Sequence, residues 1–190
     1  MNPDIEAVAD IEPPVGFPFQ IRKIGHVVLH VKDIPASVKF YAGVLGFRVS
    51  DVYGEDMMPG GAVFMRLGPD HHGVALFQAT RRSIPGAGMN HMAFEVGTLD
   101  EVIQARNHLR RMNVDIDFEG RRRAGVQIAV EFRDPDGHRL EIYWGIDQIG
   151  SEGHVRPPHE WKGAQSIAAA IADPVVGQDT SLRDPSLLNG

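Results

Sequence analysis

The 190-residue chain contains no cysteine, which excludes disulfides, thiolate nucleophiles and cysteine-held metals together. Any metal here must be held by His, Asp or Glu. Long apolar runs are missing too: no stretch approaches the roughly 18 residues that a membrane-spanning helix needs. The acidic start "MNPDIEAVADIEPP" lacks the basic head and apolar middle of a secretion signal. No membrane association and a cytoplasmic location are therefore expected. Nor is there an excess of positive charge, since the formal net charge is −6, which argues against a nucleic-acid partner. The short run Arg121, Arg122, Arg123 reads as a solvated loop. With 43% hydrophobic and 23% charged residues, the chain is an ordinary globular protein able to bury a core, as one domain or two fused modules.

What the chain does have is a repeat. "GHVVLHV" at Gly25–Val31 returns as "NHMAFEV" at Asn90–Val96, placing His26 and His91 65 positions apart at the start of strand-like runs. Each run leads into a segment with helical periodicity, "IPASVKFYAGVLG" and then "LDEVIQARNHLRRM". Asp33 and Thr98 are placed to cap these helices, and Gly46 to end the first. Three strand candidates follow in each copy: about Phe47–Tyr53, Ala62–Leu67 and Val74–Gln78, then Val114–Phe118, Val126–Phe132 and Arg139–Trp144. The order is βαβββ, twice.

A lone βαβββ unit leaves sheet edges and one face uncovered, so two copies complete one another. The expected fold is α+β: two tandem βαβββ modules forming a curved mixed sheet around a metal-binding cleft. Residues 1–20 form an N-terminal extension, 21–79 the first module, 80–88 a linker, 89–146 the second module. Residues 147–190 read as a C-terminal arm with one short helix, "AQSIAAAIA", whose last residues are expected to be disordered.

Equivalent positions of the two copies should face one cleft. Glu141, in "HRLEIYW", is a carboxylate on the last strand with apolar neighbours Leu140 and Ile142 pointing the other way; its counterpart in the first copy is Ala75. His26, His91 and Glu141 thus make a two-histidine, one-carboxylate set, which leaves about three of six octahedral positions open and suits Fe(II) or Mn(II) in oxygen chemistry. Singly, each has a plainer reading: a partly buried strand histidine, or a carboxylate at the rim.

These stretches, with "HHGVALF" and "RDPDGHRLEIYWG", resemble the vicinal-oxygen-chelate superfamily, and within it the one-domain type I extradiol dioxygenases, such as small 2,3-dihydroxybiphenyl 1,2-dioxygenases. The resemblance covers about Ile24–Gly150, and the tail from "HVRPPHEW" is similar as well. It implies a Fe(II) enzyme, with Mn(II) as the other candidate ion, that cleaves a catechol-type diol with O2 as a homo-oligomer. His26, His91 and Glu141 would be the ligands and His72 the acid–base histidine; a polar turn residue is the plainer reading of His72. Larger relatives resemble "GRH…YxRDPxG", and gapless counting puts Arg122 at that His and Glu131 at that Tyr. Arg122 could then neutralise an anionic substrate, and Tyr143, on the face of Glu141, could supply the missing phenol. The rival readings are a metal-dependent lyase or isomerase of the glyoxalase type, whose sites resemble this one with a carboxylate at the Ala75 position, and a non-catalytic small-molecule binder.

Overall fold

A computed structural model describes residues 24, 26–69, 71–80, 89–123, 125–148 and 156–190, together with Val15. Most of the 1–20 extension and of the 80–88 linker lies outside the described residues. The first copy forms β1 (Val27–Val31), α1 (Ile34–Gly43), β2 (Arg48–Tyr53), β3 (Ala62–Arg66) and β4 (Val74–Gln78). The second forms β5 (Met92–Glu95), α2 (Leu99–Arg111), β6 (Ile116–Arg121), β7 (Ile128–Arg133) and β8 (Arg139–Trp144). The tail adds α3 (Ile167–Ala172), flanked by 3-10 turns at Pro158–Glu160 and Pro185–Asn189. Among the described residues no helix is long and apolar enough to cross a membrane.

Local chemistry accounts for both module helices. Asp33 Oδ1 accepts the Ala36 N–H at 2.9 Å, and Pro35 sits in the first turn, where its missing N–H costs nothing. Thr98 Oγ1 accepts from Glu101 N at 3.3 Å. In α2, Asp100 and Glu101 occupy the first turn and His108, Arg110 and Arg111 the last, matching the helix dipole. Leu99, Val102, Ile103, Arg106 and Leu109 form its buried stripe at three- and four-residue spacing.

The strands make two four-stranded mixed sheets, ordered β1-β4-β3-β2 and β5-β8-β7-β6, with only the first pair of each parallel. No closed barrel forms. The repeat extends to irregularities: β2 is bulged at Ser50 against β3, and β6 at Asp117 against β7. Register puts Val28 beside Ala75 in one sheet and Ala93 beside Glu141 in the other, so Ala75 occupies the position of Glu141.

One core serves both copies, with Leu29, Val31 and Leu76 from the first joined to Ile103, Phe132 and Leu140 from the second. The turn "RDPDGH" fastens the copies together. Asp136 accepts from Lys32 N at 2.9 Å and from Ser37 Oγ at 3.1 Å, and buried Asp134 accepts from Tyr41 Oη at 3.1 Å.

Two expectations are corrected here. Arg121 is no solvated loop residue: it is 2% exposed and donates to the carbonyls of Lys162, Ala170 and Asp173. Its backbone bridges Ala164, laying the tail along β6. The end of the tail is ordered, because the buried Asp100 carboxylate accepts from Arg183 N and Asp184 N while Asn107 and Arg106 donate to the Leu187 carbonyl. Compositional polarity made this segment look disordered, whereas polar side chains of α2 hold its backbone.

Candidate metal centre

His91 stands just ahead of β5, and Glu141 lies on β8 beside it. The pairing of Met92 with Leu140 and Ala93 with Glu141 brings His91 Nε2 to 3.2 Å from Glu141 Oε2. His91 Nδ1 is 2.9 Å from Asn90 Oδ1. With that amide oxygen as acceptor, the ring proton sits on Nδ1 and the Nε2 lone pair faces the carboxylate. Two lone pairs this close need a positive charge between them, a proton or a metal ion.

Glu141 is 2% exposed. Burial pushes its carboxyl above the usual range, while a hydrogen bond from Gln127 Nε2 and the neighbouring His91 pull it back. A divalent cation would compensate such a buried carboxylate. The donors present fit one on this side.

His26 belongs to the other pair. Its ring packs against His72 with centroids 4.6 Å apart, and His72 also meets Phe64 edge-on at 5.0 Å and places Nδ1 3.0 Å from His71 Nδ1. Burial lowers the His72 pKa, helped by the imidazoles of His26 and His71. One member of each pair, His26 and His91, lines a cavity of about 510 Å³. Its walls are largely apolar, with Phe47, Met92 and Phe94 among them, and Arg66 is its charged member apart from the histidines. Among the described residues, however, no three His, Asp or Glu side chains converge closely enough to form a metal cage. The structure brings His91 into contact with Glu141, and His26 lines the same cavity as His91.

The remaining predicted residues fall on the same face of the second sheet. Glu131 lies directly opposite Glu141, buried, and takes both Arg122 Nε and Nη2 on one oxygen at 2.6 Å. The guanidinium also stacks 3.7 Å above the Phe118 ring. The charge of Arg122 is thus already matched. Tyr143 is half-buried two residues along β8; burial, then Glu95 and Glu141, raise its pKa, so it stays a protonated phenol. Asn90, Gln127 and Arg66 were missed from sequence. Asn90 had a signal, adjacency to His91, whereas Gln127 reaches Glu141 only through the β7–β8 pairing.

A family model described as the Glyoxalase/Bleomycin resistance protein/Dioxygenase superfamily matches residues 23–142. The chain belongs to this superfamily. Among its relatives is biphenyl-2,3-diol 1,2-dioxygenase 3 of Rhodococcus globerulus, 30% identical over 125 residues, 63% of this chain and 62% of that one. An iron-dependent extradiol dioxygenase of Rhodococcus jostii is 28% identical over 78% of this chain and 49% of its own. A manganese-dependent 2,3-dihydroxybiphenyl 1,2-dioxygenase of Geobacillus genomosp. 3 is 25% identical over 68% and 38%. The match therefore spans less than two thirds of each relative. In three dimensions the superfamily fold is shared with a fosfomycin resistance protein of Listeria monocytogenes, at TM-score 0.56 and 20% identity over 66% of this chain and 95% of that one.

Proposed function

We propose that the protein is a divalent-metal-dependent extradiol dioxygenase that opens the ring of a catechol-type diol, of the biphenyl-diol kind, with O2. His26, His91 and Glu141 are the proposed ligands, His72 the acid–base residue, and Fe(II) the ion, with Mn(II) as the alternative. The observation that carries this reading is the 3.2 Å approach of His91 Nε2 to the buried Glu141 carboxylate, on a cavity that His26 also lines. Relatives named for iron- and manganese-dependent diol oxygenation support it.

A bound ion would supply adjacent coordination positions for the two diol oxygens and for O2. The protein does the rest. Asn90 holds the His91 ring so that Nε2 stays an acceptor, and Gln127 orients Glu141. His72 has one ring nitrogen occupied by His71, which leaves Nε2 to take a proton from a diol hydroxyl and return it to an oxygen of the opening ring. A neutral imidazole suits both steps near pH 7. Tyr143, kept protonated, offers a phenol donor on the face of Glu141. The largely apolar walls of the cavity beside His26 and His91 suit the ring of such a diol.

Metal analysis combined with oxygen uptake over a panel of catechols tests this. Iron or manganese in the protein, with one O2 consumed per diol and both atoms found in the ring-opened product, is the expected result. Metal without oxygen uptake would replace this reading with Lewis-acid lyase or isomerase chemistry, and the absence of any metal with that of a binder.

A further inference from the structure

The two modules carry the same arginine and treat it differently. Arg66 ends β3 as Arg133 ends β7, each following directly on the residue paired just before the bulge of its neighbouring strand. In the second module Arg133 is tied down: Nε contacts Asp117 Oδ2 at 2.9 Å, and Nη1 donates to the Gly137 carbonyl. Asp117 is the bulged residue. Its counterpart in the first module is Ser50, which carries no charge and whose buried Oγ has no partner among the described residues. Among the described residues Arg66 accordingly has no ion pair or hydrogen bond. The residue opposite also changes: Arg139 pairs with Arg133 across β7 and β8, whereas Gly73 holds that place in the first module and, without a side chain, leaves room at the cavity wall.

We infer that Arg66 is the specificity-determining residue of this site, binding a carboxylate carried by the ring of the diol substrate. The inference rests on the diol reading above and narrows it to carboxylated vicinal diols. Arg66 is half-buried in the wall of the cavity that His26 and His91 line. A planar guanidinium without a partner among the described residues, in largely apolar surroundings, recognises a planar carboxylate through paired N–H···O bonds that are stronger there than in water. Arg122 does not compete for this role, because Glu131 neutralises it and Glu141 adds a further negative charge beside the pair.

The test measures dissociation constants on metal-loaded protein for 3,4-dihydroxybenzoate, for its neutral analogue 4-methylcatechol, and for benzoate, which has the carboxylate without the diol. Wild type should bind the carboxylated diol roughly ten-fold or more tightly than 4-methylcatechol. Arg66→Gln should abolish that preference and leave 4-methylcatechol unchanged. Ser50→Asp should do the same with Arg66 intact, by rebuilding the ion pair of the second module; circular dichroism checks that both variants fold. Equal affinity for the two diols in wild type, or an unchanged ratio in Arg66→Gln, would overturn the inference. Should neither diol bind while benzoate binds in an Arg66-dependent manner, the diol reading falls and the carboxylate site stands.

Discussion

Asn90 governs the chemistry available at His91. Its side-chain oxygen accepts from Nδ1 at 2.9 Å, so removing it frees the ring to turn and to place its proton on the nitrogen facing Glu141. Asn90→Ala should weaken metal affinity roughly 10- to 100-fold, the usual effect of losing a group that orients a ligand; titration against a competing chelator would read it directly, and wild-type affinity would show that the contact orients nothing. His72 is predicted to behave oppositely. His72→Gln should retain the metal and slow ring opening by roughly 10² to 10⁴-fold. Single-turnover oxygen uptake on metal-replete protein separates the two effects, and unchanged turnover would remove His72 from the mechanism.

At the level of strands, the register makes Ala75 the counterpart of Glu141, buried on β4. Ala75→Glu places a second carboxylate at the candidate centre, where it would occupy a position the diol needs. Metal should be retained while diol binding and oxygen uptake are lost; Ala75→Leu, which fills space without ligating, is the control. Diol binding near the wild-type level in Ala75→Glu would separate Ala75 from the centre. This element-level pattern was legible in the sequence because helix caps, apolar alternation and turns recur at nearly constant spacing in both copies. The matching bulges at Ser50 and Asp117 were not legible, since a bulge is a mismatch between two strands and neither strand shows it alone. The tail was misread for a related reason: Asp100 and Arg121 satisfy its backbone from more than forty residues away. In the site, the repeat accounts for His26 and His91 lining one cavity, but the contact of His91 with Glu141 and the pairing of Arg122 with Glu131 depend on strand register and side-chain directions that spacing does not specify.

The whole molecule depends on how the two copies are joined, and that joint contains a titratable group. Asp134 sits at its centre, accepting from Tyr41 of the first module and from the backbone and ring of His138 in the second. His138 is buried, with Nδ1 2.8 Å from Asp134 Oδ2. That hydrogen bond raises the imidazole pKa in the folded protein, opposed by burial and Lys32 and assisted by the charges of Asp134 and Asp136. In the unfolded chain the group returns to about 6.5. A raised folded-state pKa means that the native state binds the proton more tightly, so the stabilisation is complete below about pH 6.5 and is lost as pH rises through the folded value. Because the same carboxylate holds Tyr41, the loss is felt between modules as well as within the turn. Urea unfolding of metal-free protein should therefore show stability declining from about pH 6 toward alkaline pH. In His138→Asn, less stable overall, that part of the slope should disappear, so the gap between wild type and variant narrows as pH rises. A gap that stayed constant, or widened, across this range would mean that His138 is neutral throughout and that the joint is held by Asp134 and Asp136 alone.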